Sequence, residues 1–93
     1  MKVIKSVTQE EKDALKFVLE EVNPNDQYAH ITVKDLRQID KLCKIIDDSK
    51  EEVSLEDTDF DYLKGKFLGY SSWNPKARDI VISVDSKMSE ASR

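Results

Sequence analysis

The sequence predicts a mostly α fold: a compact domain of three or four helices with a short extended N-terminal arm over residues 1–7. Three observations carry that expectation. Helix-start signals recur, at Thr8-Gln9-Glu10-Glu11, Thr32-Val33-Lys34-Asp35, Ser54-Leu55-Glu56-Asp57 and Asn74-Pro75. Apolar residues behind those signals recur three and four positions apart. Breakers are scarce, with two glycines and two prolines in 93 residues.

The elements follow in order. Val3, Ile4 and Val7 give the arm a weak alternation, suited to an edge strand or an extended segment lying on the core. Thr8 and Glu11 form a capping box, and Ala14, Leu15, Val18, Leu19 and Val22 make one apolar face behind it. Asn23-Pro24 ends this helix, because the residue before proline is pushed out of the helical region. A polar, turn-rich loop over residues 23–30 leads to the second helix. There Thr32 and Asp35 form the cap, Ile31 is placed to staple onto Leu36, and Leu36, Ile39, Leu42, Cys43 and Ile46 form the stripe. Lys34, Arg37, Lys41 and Lys44 fall elsewhere on that helix, toward solvent.

Ser54 offers a third helix start, with acids in the first turn where the helix dipole favours them. Phe60, Leu63, Phe67 and Tyr70 then recur at helical spacing, Gly69 suits the end, and Gly65 costs about 1 kcal/mol against alanine. Asn74 as cap with Pro75 at the first helical position opens the last segment. Ala77, Ile80, Val81, Val84 and Met88 make its helical face. Residues 80–84 are β-branched and also alternate, so an α+β fold with a strand there is the competing expectation. Residues 89–93 are expected to fray. The expected core is Leu15, Val18, Leu19, Leu36, Ile39, Cys43, Ile46, Phe60, Leu63, Phe67, Ile80 and Val84.

Composition sets further bounds. The chain fits one small domain, with 37% charged residues covering its large relative surface. A single cysteine, Cys43, excludes an intramolecular disulfide and suits a reducing compartment. The N-terminus is too short and too charged for a signal peptide, and no apolar run approaches the ~20 residues that cross a bilayer. These features point to a cytoplasmic protein with no membrane contact.

Charge is segregated along the chain. Residues 47–61 hold eight acids (Asp47, Asp48, Glu51, Glu52, Glu56, Asp57, Asp59, Asp61) against Lys50, a net −7, while the whole chain is −4. The rest therefore sums to +3. A segregated field selects partners, whereas a mixed one mainly confers solubility. Part of the block is explained as ordinary helix-start chemistry. As a surface, it would repel nucleic acid and suit a basic groove. Five of the seven aromatics (Phe60, Tyr62, Phe67, Tyr70, Trp73) follow within a short stretch. Tyr62, Tyr70 and Trp73 lie off the main stripe or at the bend before the last helix, where Trp73 either plugs a core corner or joins an interface. Base stacking is disfavoured, because Lys64, Lys66, Lys76 and Arg78 adjoin a strongly acidic flank.

Other chemistry finds little support. Counted from Asp57 as an EF-hand loop, position six is Tyr62 and position twelve Leu68, where glycine and glutamate are required. His30 has no second ligand nearby, so no metal is expected. Cys43 sits on an apolar stripe, as a buried inert thiol does. Glycine occurs only at 65 and 69, so no phosphate-cradling loop exists, and no cofactor is expected. Ser71-Ser72 beside Trp73 makes no nucleophile elbow.

The stretch Ser54-Leu55-Glu56-Asp57-Thr58-Asp59-Phe60-Asp61-Tyr62-Leu63-Lys64, followed by Trp73-Asn74-Pro75, resembles small accessory proteins encoded by tailed phages. The resemblance spans about the last two-thirds of the chain. It implies a virion or assembly factor, or an inhibitor that binds a host machine, acting in the host cytoplasm. The expected function is a non-enzymatic protein-binding module. Its contact surface would combine Asp48, Glu51, Glu52, Glu56, Asp59, Tyr62, Tyr70 and Trp73 and would meet a basic site on a partner protein. The alternative is an oligomeric structural or assembly protein.

Overall fold

The computed structural model describes residues 1–20, 32–71 and 73–92. Their order is β1 (Lys2–Ile4), α1 (Gln9–Glu20), α2 (Val33–Asp48), β2 (Val53–Leu55), α3 (Asp57–Gly69), a 3-10 turn (Pro75–Ala77) and α4 (Arg78–Ala91). The fold is mostly α, with four helices and one small sheet among the described residues.

Helix α1 packs against each of the other three helices. Side-chain pairs fix the directions. Lys16 meets Asp47, and the Lys12 ammonium reaches the Ser49 carbonyl, so α2 runs antiparallel to α1. Lys41 meets Asp59 while Asp35, earlier in α2, lies near Tyr62 and Lys66, later in α3, so α3 runs antiparallel to α2. Phe17 meets Trp73 while Glu11 meets Lys87, so α4 is antiparallel to α1. The helices thus alternate in direction. At one pole, where α1 and α3 begin and α2 and α4 end, β1 and β2 pair antiparallel with Lys2 opposite Leu55 and Ile4 opposite Val53. The other pole holds the bend between α3 and α4.

Local signals account for most helix starts. The Glu11 amide donates to the Thr8 hydroxyl at 3.2 Å and the Thr8 amide to the Glu11 carboxylate at 3.0 Å, closing the expected box. Thr32 and Asp35 close the second. The Asn74 side chain accepts from the Lys76 amide and Pro75 opens the 3-10 turn, which feeds α4. Residues 80–84 are helical, so the strand alternative is set aside. The cap outweighs β propensity there, because α4 continues a turn already nucleated and buries Val84 and Met88.

The structure corrects four expectations. Ser54 is not a helix cap but the exposed middle of β2, and Glu56 takes the N-cap position without a side-chain hydrogen bond. Val53 and Leu55 bury the other face of that strand, at 0% and 1% exposure, beside Ile4. Residues 1–7 hold the edge strand, one of the two forms expected of the arm, but Ile4 and Val7, absent from the expected core, belong to the core. Leu36 is 55% exposed. It precedes the fully buried Leu42 by six positions, which rotates it about 120° from the core line. Residues 89–91 form the last turn of α4, and Ala91 packs on the core instead of fraying. The Lys2 ammonium and the Ser92 backbone carbonyl lie 3.4 Å apart just beyond it.

The rest of the expected core is buried or half-buried. Phe60, Leu63, Phe67, Leu15, Val18, Leu19, Ile46 and Val84 are buried, while Ile39, Cys43 and Ile80 line its edge. Each full Leu or Ile burial contributes roughly 1.5–3 kcal/mol. Val22, Asn23-Pro24, the loop over 23–30 with His30, the Ile31 staple, Ser72 and Arg93 lie outside the described residues.

Candidate contact surface

The acidic block wraps the sheet pole. Helix α2 delivers Asp47 and Asp48 and stops at Ser49, whose hydroxyl donates back to the Ile45 carbonyl at 2.6 Å. The chain then passes Glu51, whose carbonyl accepts the Val7 amide at 2.7 Å, and runs through β2 into α3. This backbone bond anchors the turn to the N-terminal segment, so its acids project from a fixed frame.

The eight acids divide into two sets. Asp47 lies 2.8 Å from the Lys16 ammonium, Asp57 lies 3.3 Å from the N-terminal amine, and Asp59 lies 3.0 Å from the Lys41 ammonium. Asp48, Glu51, Glu52, Glu56 and Asp61 are exposed and form no ion pair among the described residues. Asp59 differs from the others in depth. It is 5% exposed and also accepts from the Gln38 amide at 3.5 Å, so it struts α3 against α2. A partner would not reach it without separating those helices.

Tyr62 stands one turn farther along α3. Its ring is half-buried against the core, the Lys66 ammonium lies 5.6 Å from its centroid, and its hydroxyl is buried without a hydrogen-bond partner among the described residues. Burial, followed by the nearby Asp35 carboxylate, pushes the phenol above its ordinary pKa.

Tyr70 and Trp73 belong to the opposite pole. Their centroids lie 4.8 Å apart, and Trp73 also meets Phe67 at 5.5 Å. Phe17 from α1 completes the group, 5.5 Å from Tyr70 and 6.0 Å from Trp73. Phe17 is 42% exposed, while Tyr70 and Trp73 are half-buried. Glu56 and Tyr70 flank α3, so the acidic turn and the aromatic corner are about 20 Å apart along its axis at 1.5 Å per residue. The expected single surface is therefore two surfaces. Sequence reasoning overlooked Phe17, although a phenylalanine off the apolar face of its own helix was a readable sign.

Searches among protein-family models, curated proteins and solved structures return no match.

Two further groups complete the chemistry. Cys43 lies 3.7 Å from the Glu20 carboxylate, and burial, reinforced by that negative charge, pushes its thiol up to about 11. It is held as the neutral thiol at ordinary pH and is a poor nucleophile. Glu11 is the group that the sequence left half explained. Besides capping α1, its buried carboxylate takes the Lys87 ammonium at 2.6 Å and the Ser83 hydroxyl at 2.9 Å, and Lys87 also donates to the Ser6 carbonyl at 2.6 Å. That contact holds Ser6 at φ 57°, a left-handed conformation uncommon for serine. The set is a clamp joining the arm, α1 and α4, with every member engaged. No group of three or more His, Cys, Asp or Glu residues able to hold a metal ion occurs among the described residues. Among the described residues no helix is long and apolar enough to cross a membrane.

Proposed function

We propose that this protein is a non-enzymatic protein-binding module that presents Asp48, Glu51, Glu52 and Glu56 to a basic site on a partner protein. One observation carries the reading. These exposed acids lie along the link from the end of α2 through β2 to the start of α3, anchored at Glu51 by a backbone hydrogen bond, and form no ion pair among the described residues, while the neighbouring acids Asp47, Asp57 and Asp59 do. Unpaired like charges cost the free protein self-repulsion, which a basic partner relieves. Such a surface mainly steers association and fixes orientation. A phage-encoded accessory protein or inhibitor acting in a host cytoplasm is the setting that the sequence resemblance suggests.

The test is affinity purification from the native cell, comparing wild type with Glu51→Gln/Glu52→Gln/Glu56→Gln. Loss of a basic co-eluting protein by the variant, with the fold intact, is expected. Equal recovery of every partner would overturn the reading. The oligomeric alternative draws on a different observation, the half-exposed aromatic corner at the far pole.

A further inference from the structure

The corner formed by Phe17, Tyr70 and Trp73 is flanked by cations as well as being apolar. Lys76 and Arg78 follow Trp73 within five residues, and both are exposed. Neither side chain meets a carboxylate among the described residues, since Arg78 donates only to the Pro75 carbonyl at 3.2 Å. In the sequence these cations stand close after the acidic block. In the fold about 20 Å of α3 intervenes between that block and these cations, beyond the ~8–10 Å screening length at moderate salt, so the block does not cancel them. Among the described residues only the exposed Asp79 beside Arg78 and Glu20 at the end of α1 offset them locally. The three rings pack on one another at 4.8–6.0 Å, which leaves no space between them for a caged ammonium group. The corner is a surface to be covered.

We propose that its occupant is the acidic turn of a second copy of this chain, docked head to tail. The inference rests on the reading of that turn as a contact surface. Charge complementarity argues for it: among the described residues, acids without an ion pair stand at one pole, and cations without one stand beside the exposed Phe17 and the half-buried Tyr70 and Trp73 at the other. The two patches are different surfaces on one subunit, so the contact is heterologous. It extends into a ring or an open filament rather than closing as a two-fold dimer. Exposed ion pairs contribute little once screened, and association costs rotational and translational freedom, so the contact is weak and salt-sensitive.

Sedimentation velocity of the purified protein across a ~100-fold concentration range at low ionic strength tests it. The weight-average sedimentation coefficient is expected to rise steadily with concentration and to return to the monomer value at high salt. Two neutralised variants, Glu51→Gln/Glu52→Gln/Glu56→Gln and Lys76→Gln/Arg78→Gln, should each remain monomeric where wild type associates. All five positions are exposed, and circular dichroism checks that folding is unchanged. Mixed one to one, the variants should form a dimer and nothing larger, because one keeps the corner and the other keeps the turn. A monomeric wild type at every concentration, association that the variants leave intact, or a mixture that stays monomeric would overturn the proposal. Trp73, the one tryptophan, reports the corner by its emission. A response to a glutamate-rich peptide from a protein that never self-associates would assign the corner to a foreign acidic partner and sink the second-copy occupant. If the turn variant loses its cellular partner while wild type stays monomeric, the proposed function stands and this inference falls.

Discussion

Glu11 and Asp59 are carboxylates at the same depth, 4% and 5% exposed, held in different ways. Glu11 takes the Lys87 ammonium, the Thr8 amide and the Ser83 hydroxyl, so both oxygens are engaged, by three donors from two segments of chain. Asp59 has the Lys41 ammonium at 3.0 Å and a Gln38 amide at the outer limit of a hydrogen bond. The cations differ too: the Lys87 side chain is 24% exposed and that of Lys41 54%. Depth of the acid therefore does not set the strength of the pair. The burial of its cation and the number of further donors do, because solvent screens one side of the Lys41 pair and much less of the other.

The largest expected effect breaks the two pairs in parallel. Lys87→Ala leaves a buried carboxylate without its cation and releases the Ser6 carbonyl. It should cost about 3–5 kcal/mol by urea denaturation. Lys41→Ala removes a half-exposed cation whose place water can take, and should cost much less than Lys87→Ala. Equal losses would show that depth of the carboxylate alone governs both.

Half of this contrast was readable beforehand. The Thr8 and Glu11 box was visible because its donors lie three residues apart. The Lys87 contact was not, since its partner is 76 positions away and nothing local marks it. The same limit explains β2. Three residues are too few to show an alternation, while Ser54 followed by acids mimics a helix start, so strand pairing with Lys2–Ile4 decided the outcome. Helices were legible because their caps and periods are local. The contact surface was legible in composition but not in layout. Asp59 looked like one more surface acid, and its burial depends on Gln38 and Lys41 across α2. Glu56 and Tyr70 are near neighbours in sequence, yet a straight α3 holds them at opposite ends.

Acid titration sharpens the comparison next. Burial by itself would raise the Glu11 pKa. The Lys87 ammonium, the Thr8 amide, the Ser83 hydroxyl and the Thr8 hydroxyl together outweigh it and hold the carboxyl at about 2, against 4.5 when unperturbed. A folded-state value below the unfolded one means that the unfolded chain binds the proton first. The contribution is complete above about pH 4.5 and is lost as pH falls toward 2, amounting to roughly 3 kcal/mol. Urea midpoints measured through that window should fall less steeply in Glu11→Gln than in wild type. Parallel slopes would mean that Glu11 titrates alike in both states.

The smallest effect concerns the neighbour that the α2–α3 strut leaves incomplete. One turn after Asp59, the Tyr62 hydroxyl is buried with no hydrogen-bond partner among the described residues, while its ring packs on the core and beneath the Lys66 ammonium. Tyr62→Phe keeps the ring contacts and deletes only the unsatisfied group, whose desolvation is a net cost to the folded state. Stability should stay the same or rise by up to about 1 kcal/mol in urea denaturation. The clamp behaves oppositely: there each polar atom has its partner, and the corresponding deletion, Ser83→Ala, leaves Glu11 Oε2 short of a donor and should lower stability. A loss of similar size in Tyr62→Phe would mean that a bound water satisfies the Tyr62 hydroxyl, so that it stabilises the fold as the donors around Glu11 do.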